Sequence, residues 1–175
     1  MDTKLLETWL EEYLRGTEYE LVTLKVSPQN DILVEVDRLA GVDVDFCAEL
    51  NRFLVEKLEG VQNTAYGVQT ELDYSLEVGS YSLTEPFKTK MQYQKNLGHD
   101  VEVMVCTTGQ STKYKGLLVS VDEETFSVDV LEKVKPTPTP SLKGGEKVSK
   151  RPIKQIVTYT WRYDEPKYVK YDLKF

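Results

Sequence analysis

The sequence holds a single histidine, His99, and two cysteines, Cys47 and Cys106, among 175 residues. Without a second imidazole there is no histidine dyad and no histidine-based metal triad, and no nucleophile can be paired with an imidazole other than His99. His99 follows Gly98 at what reads as a turn, the place of a structural or exposed histidine rather than of a base. The two cysteines lie far apart in apolar surroundings, which predicts reduced core thiols and neither a disulfide nor a metal site. CxxC, HExxH, a glycine-rich phosphate loop and a dinucleotide fingerprint are all missing. The stretch Gly109-Gln110-Ser111-Thr112 has neither the second glycine nor the lysine of a phosphate loop and reads as a turn between strands. No apolar run approaches the roughly 18–20 residues of a membrane span, and the first residues lack a basic segment followed by an apolar block. The expectation is a cytoplasmic protein that is not an enzyme, has no cofactor, no metal and no membrane partner.

What is present is charge, unevenly placed. The net charge is −7 and the pI about 4.9, a balance that repels bare phosphate backbones. Residues 1–89 carry 7 Lys+Arg against 18 Asp+Glu, net −11, whereas residues 90–175 carry 15 against 11, net +4. The front half is built to attract a basic partner, and the back half tolerates an anionic one.

Leu5, Leu6, Trp9, Leu10, Tyr13 and Leu14 form one stripe at helical spacing, stopped by Gly16. Residues 19–26 and 32–36 read as two strands of a hairpin around Ser27-Pro28-Gln29-Asn30-Asp31. Asp43 or Asp45 caps a second helix with Phe46, Cys47, Leu50, Phe53, Leu54 and Leu58 on one face and Gly60 at its close, and Tyr74, Leu76 and Val78 alternate as a strand. This order predicts a small α/β domain over residues 1–88, with two helices on one face of a three-stranded sheet. Residues 89–98 read as a linker. Residues 99–175 look all-β, with runs at 101–105, 114–121, 125–131, 153–163 and 169–175, and predict a small closed barrel, since closure removes exposed edges. The fold class is thus α+β. Residues 133–152, with Pro136, Pro138, Pro140 and Gly144-Gly145, read as a mobile basic loop.

Three features admit a chemical and a plain reading. Asp37, Asp43 and Asp45 could hold a hard cation, but acids at a helix start first serve its free N–H groups. Tyr159, Trp161, Tyr163, Tyr168 and Tyr171 fall at alternating strand positions, where aromatics close a core more often than they stack on bases. The basic loop either reaches phosphates or only solubilises.

Two stretches go beyond pattern. Ile32-Leu33-Val34-Glu35-Val36-Asp37-Arg38 is followed by Gly41-Val42-Asp43-Val44-Asp45-Phe46-Cys47-Ala48-Glu49-Leu50-Asn51-Arg52, and later come Tyr74-Ser75-Leu76-Glu77-Val78-Gly79-Ser80, Leu83 and Glu85-Pro86-Phe87. Together they resemble the RimP family of bacterial ribosome maturation factors. The chain departs from the family at Ser80-Tyr81-Ser82-Leu83, where Ser-Pro-Gly-Leu is usual, at Asn51, where serine precedes the arginine, and in a longer Lys/Pro-rich loop. The resemblance implies an N-terminal KH-like domain and a C-terminal SH3-like or Sm-like barrel. It also implies a non-catalytic monomer that binds the free 30S ribosomal subunit, promotes incorporation of a basic small-subunit ribosomal protein near the decoding centre, and meets 16S rRNA indirectly or weakly.

On that basis Asp37, Asp45 and Glu77 are expected on the acidic docking surface. Arg52 and Ser80 belong to the motif that organises it, and Lys143, Lys147, Lys150 and Arg151 are candidates for rRNA contact. The rival reading is a stand-alone RNA-binding module of KH/Sm type, which the acidic front half and the lack of a G-x-x-G loop oppose.

Overall fold

The computed structural model describes residues 2–65, 73–134 and 153–173. The chain divides into two compact units, Met1–Lys95 and Asn96–Phe175.

In the first unit, α1 (Thr3–Leu14) starts at Asp2, whose side chain accepts the Lys4 N–H at 3.0 Å, and buries Leu6, Trp9, Leu10 and Leu14. Gly16 at φ 80° ends it, a left-handed position that glycine occupies without a Cβ penalty. β1 (Tyr19–Val26) and β2 (Asp31–Arg38) pair antiparallel with a register shift between Leu21 and Thr23. α2 (Val44–Ala65) then crosses over to β3 (Ser75–Ser80), which pairs parallel with β2, giving the sheet order β1-β2-β3. Ile32, Val34 and Val36 of the central strand are at most 1% exposed and pack with Leu50, Leu54 and Leu58 of α2 and the stripe of α1.

Two details differ from the sequence reading. Asp43, and not Asp45, caps α2, accepting the Asp45 N–H at 3.0 Å. Gly60 lies inside α2 instead of closing it: its φ is not positive, and a lone helical glycine costs only about 1 kcal/mol.

A short helix α3 (Lys90–Lys95) follows within the first unit. Its start is capped from one side, by Gln92 Oε1 accepting from Lys88 N at 2.7 Å and Thr89 N at 3.2 Å.

The second unit is one antiparallel sheet in the order β7-β6-β5-β4-β8, from β4 (Asp100–Thr107), β5 (Gln110–Val121), β6 (Thr125–Val134), β7 (Ile153–Arg162) and β8 (Pro166–Tyr171). Val101, Val103, Leu118, Phe126, Val128 and Val169 form its core. The expected closed barrel is corrected here: no ladder joins β7 to β8 among the described residues, so the sheet is open. It is nevertheless strongly coiled. A flat five-stranded sheet would hold its edges about 19 Å apart, while the four Cα steps from Arg162 to Pro166 reach at most about 15 Å. Register shifts between Leu118 and Ser120 and between Met104 and Val105 supply the bends. Closure is replaced by convergence of the two edges at the 163–165 turn, where the Glu165 N–H donates to the Arg162 carbonyl at 3.2 Å.

Of the two free cysteines, Cys47 packs against the first unit's core as expected, and Cys106 departs from expectation. Cys47 is half-buried and Cys106 exposed, because the β4–β5 hairpin tip extends past the core that Val101 and Val103 enter.

Candidate partner-binding surface

β3 is an edge strand, with no neighbour on its far side among the described residues. Consecutive residues of a strand direct their N–H and C=O groups to opposite sides. Because the Tyr81 N–H donates to the Val36 carbonyl at 3.0 Å, the backbone groups of Glu77 and Gly79 also face β2. Those of Leu76, Val78 and Ser80 therefore face outward. Beside this edge runs a groove of about 440 Å³ lined by Val44, Cys47, Ala48, Asn51 and Arg52 of α2 and by Val78. Val44 is 81% exposed although it opens the helix.

Four of the residues singled out in the sequence meet here. Arg52 lines the groove, Asp45 stands exposed in the first turn of the same helix, and Glu77 and Ser80 are exposed on β3. Asp45 and Glu77 give this edge its negative charge.

Asp37 is placed elsewhere, and the expectation of a surface acid is corrected. It is 6% exposed, on the side of the sheet away from the helices. Its carboxylate accepts from Lys95 Nζ at 2.7 Å, Gln92 Nε2 at 3.3 Å and the Arg38 N–H at 2.8 Å. Nearby, Lys88 Nζ donates to the buried Thr23 hydroxyl at 2.7 Å and lies over the Tyr81 ring. Asp37 thus fastens α3 to the sheet. The Thr89-x-x-Gln92 signature of a capped helix is the sequence signal that would have located this contact.

The second unit carries a charged cluster that sequence reasoning missed. Glu102 is 6% exposed, with Lys113 Nζ at 3.1 Å, Lys115 Nζ at 3.3 Å and Lys170 Nζ at 4.0 Å, and it accepts the Tyr168 hydroxyl at 2.8 Å. Burial pushes its pKa up, but hydrogen bonds from Tyr168, Lys113 and Lys115 outweigh this and hold it at about 2. Tyr168 is therefore a polar partner on the outer face and not core. Tyr159 and Trp161 do lie on the inner face with Tyr114 and Phe126. The Tyr159 hydroxyl donates to Glu132 at 2.6 Å, which together with burial pushes its pKa up to about 12. On the outer face Lys133 and Lys154 stand directly opposite each other, with no carboxylate paired to either among the described residues. Lys143, Lys147, Lys150 and Arg151 lie outside the described residues.

The RimP N-terminal domain family matches residues 9–82, a span that contains the α2–β3 groove. The chain is 32% identical over 136 residues to the protein named "Ribosome maturation factor RimP" of Porphyromonas gingivalis strain ATCC 33277, covering 78% of this chain and 82% of the relative. The same figures hold for the protein of that name from strain W83. The chain belongs to the RimP family. Of the groove's lining, every residue falls within the RimP N-terminal match, as do Asp37, Asp45, Glu77 and Ser80. The Glu102 cluster falls beyond it. No helix among the described residues is long and apolar enough to cross a membrane.

Proposed function

We propose that this RimP-family protein is a ribosome maturation factor that binds the free small subunit and helps a basic ribosomal protein of the decoding region into place, without covalent chemistry. The two units then correspond to a KH-like domain and an SH3-like one whose sheet curls without closing. The observation that carries this reading, beside the name of its relatives, is the split of charge: net −11 over residues 1–89, with Asp45 and Glu77 exposed on α2 and on the edge strand β3. Such a surface raises the encounter rate with an Arg/Lys-rich protein and shields it from unspecific RNA contact. Release follows when the denser phosphates of rRNA take over as counter-charges.

The test is sedimentation of a cell lysate on a sucrose gradient. The protein is expected with free small subunits and absent from translating ribosomes. Its presence in polysomes, or at the top of the gradient only, overturns the reading.

One observation favours a second reading, direct RNA contact by the second unit. Opposed lysines across a strand pair are destabilising by themselves, and Lys133 and Lys154 stand so; a phosphate between them removes the cost. Salt-dependent binding to short unstructured RNA, lost in Lys133→Glu, supports that role.

A further inference from the structure

We propose that the groove between α2 and β3 takes up an extended, Arg/Lys-rich peptide segment by adding it as a fourth strand to the open edge of β3. The inference rests on the docking function proposed above and says how the basic partner is held. Natural edge strands are blunted by proline, lysine, bulges or a covering element. β3, Ser-Leu-Glu-Val-Gly-Ser, has no proline and no lysine, and its pairing with β2 runs from Asp31↔Ser75 to Val36↔Ser80 without a register shift. Its one charged side chain is Glu77. An edge guarded by an acid repels acidic strands and admits a cationic one.

The outward N–H and C=O groups of Leu76, Val78 and Ser80 supply the ladder for such a strand. The groove alongside supplies the side-chain pocket: Val44, Ala48 and Val78 give it apolar walls, in about 440 Å³. Alternate residues of an added strand point to opposite faces, so one set enters the groove while the other passes Glu77. Asp45 in the first turn of α2 and Glu77 on the strand set the sign of the ligand. Among the described residues Arg52 is the one cation lining the groove, too little to attract a phosphate backbone against Asp45, Glu77 and the net −11 of residues 1–89.

The experiment uses the full chain and a fluorescent ten-residue peptide alternating arginine and valine. A second peptide of the same sequence is N-methylated at every other residue, which keeps charge and side chains but blocks strand pairing. Wild-type protein is expected to bind the first peptide, with affinity falling as salt rises, and the methylated one about tenfold more weakly. Ser80→Pro removes one outward N–H and leaves the Tyr81–Val36 bond in place; Val44→Lys changes an exposed groove wall. Each is expected to weaken the unmethylated peptide about tenfold at unchanged melting temperature. Equal binding of the two peptides, or Ser80→Pro binding like wild type, overturns strand addition. So does a ten-nucleotide single-stranded RNA that shifts the amide resonances of Leu76, Val78 and Ser80 where the peptide does not. Intact migration with small subunits alongside any of these results refutes strand addition alone, whereas loss of that migration refutes the docking function itself.

Discussion

Among the described residues each unit buries one acid on the sheet face away from its core, and the two acids are equally hidden: Asp37 and Glu102 are both 6% exposed. Their partners come from different distances. Glu102 is neutralised by its register neighbours, Lys115 opposite on β5 and Lys170 opposite on β8, with Lys113 and Tyr168 one step along. Asp37 is neutralised by Lys95 and bonded by Gln92, 58 and 55 residues further along the chain. In the second unit a charge on the sheet surface is held by strand pairing itself. In the first it is held by a segment that folds back, so the acid doubles as a fastening for α3.

If the second unit stands on strand register, the largest effect belongs to a residue that register alone positions. Gly116 faces the core between Tyr114 and Leu118, where a Cβ would collide with the Asp129 carbonyl of β6. Gly116→Ala is expected to cost about 3 kcal/mol, the upper range for overpacking a core. Each unit holds one of the two tryptophans, Trp9 in α1 and Trp161 in β7, so single-tryptophan variants report the units separately. The Trp161 transition should drop and the Trp9 transition stay. The reciprocal test is Asp37→Ala, which removes the acceptor of three hydrogen bonds and leaves Lys95 able to reach water. A loss of about 2 kcal/mol is expected in the Trp9 transition, with faster hydrogen exchange across α3. Unchanged exchange there would mean that Asp37 does not fasten it.

The same contrast explains how much was legible. Apolar periodicity located α1, α2, β1, β2 and β3 because each buries a single face, and strand alternation located β4 to β8. Periodicity says nothing of whether edges meet, so a closed barrel was expected where coiling ends in an open sheet. It also treated Asp37 as one more acid of an acidic half, since its burial depends on Gln92 and Lys95 arriving from a stretch that reads as linker. Asp45, Arg52, Glu77 and Ser80 do gather at one edge. The groove beside them required knowing that β3 ends the sheet.

A smaller effect, confined to the second unit, is read by pH. The Glu102 pKa is held at about 2 against 4.5 in the unfolded chain. A depressed carboxyl stabilises the folded state above its unfolded pKa and loses that contribution as pH falls toward the folded value. The second unit should therefore lose stability between about pH 4.5 and 2, and Glu102→Gln should flatten that slope at a cost of about 1 kcal/mol at neutral pH. Melting followed at Trp161 from pH 6 to 2.5 measures it; identical slopes in wild type and variant would remove Glu102 from the account.

The smallest effect compares the two hairpins. In the first unit the β1–β2 turn puts Asn30 at φ 63°, with its N–H bonded to the Ser27 carbonyl at 3.0 Å. In the second, the two-residue β4–β5 turn puts Thr108 at φ 46° and Gly109 at φ 84° between the paired Thr107 and Gln110. Positive φ at both central positions is the geometry that Asn-Gly satisfies best, and a β-branched residue is strained there. Thr108→Asn should stabilise the second unit by about 0.5 kcal/mol and leave the first unchanged. Asn30→Thr should do the opposite to the first unit, by somewhat more, because the amide also donates to the Asp73 carbonyl at 3.4 Å. The pair is a stringent check on the separateness of the two cores: each substitution should move only the tryptophan of its own unit, and a shift in both transitions from either one would show that the units melt together.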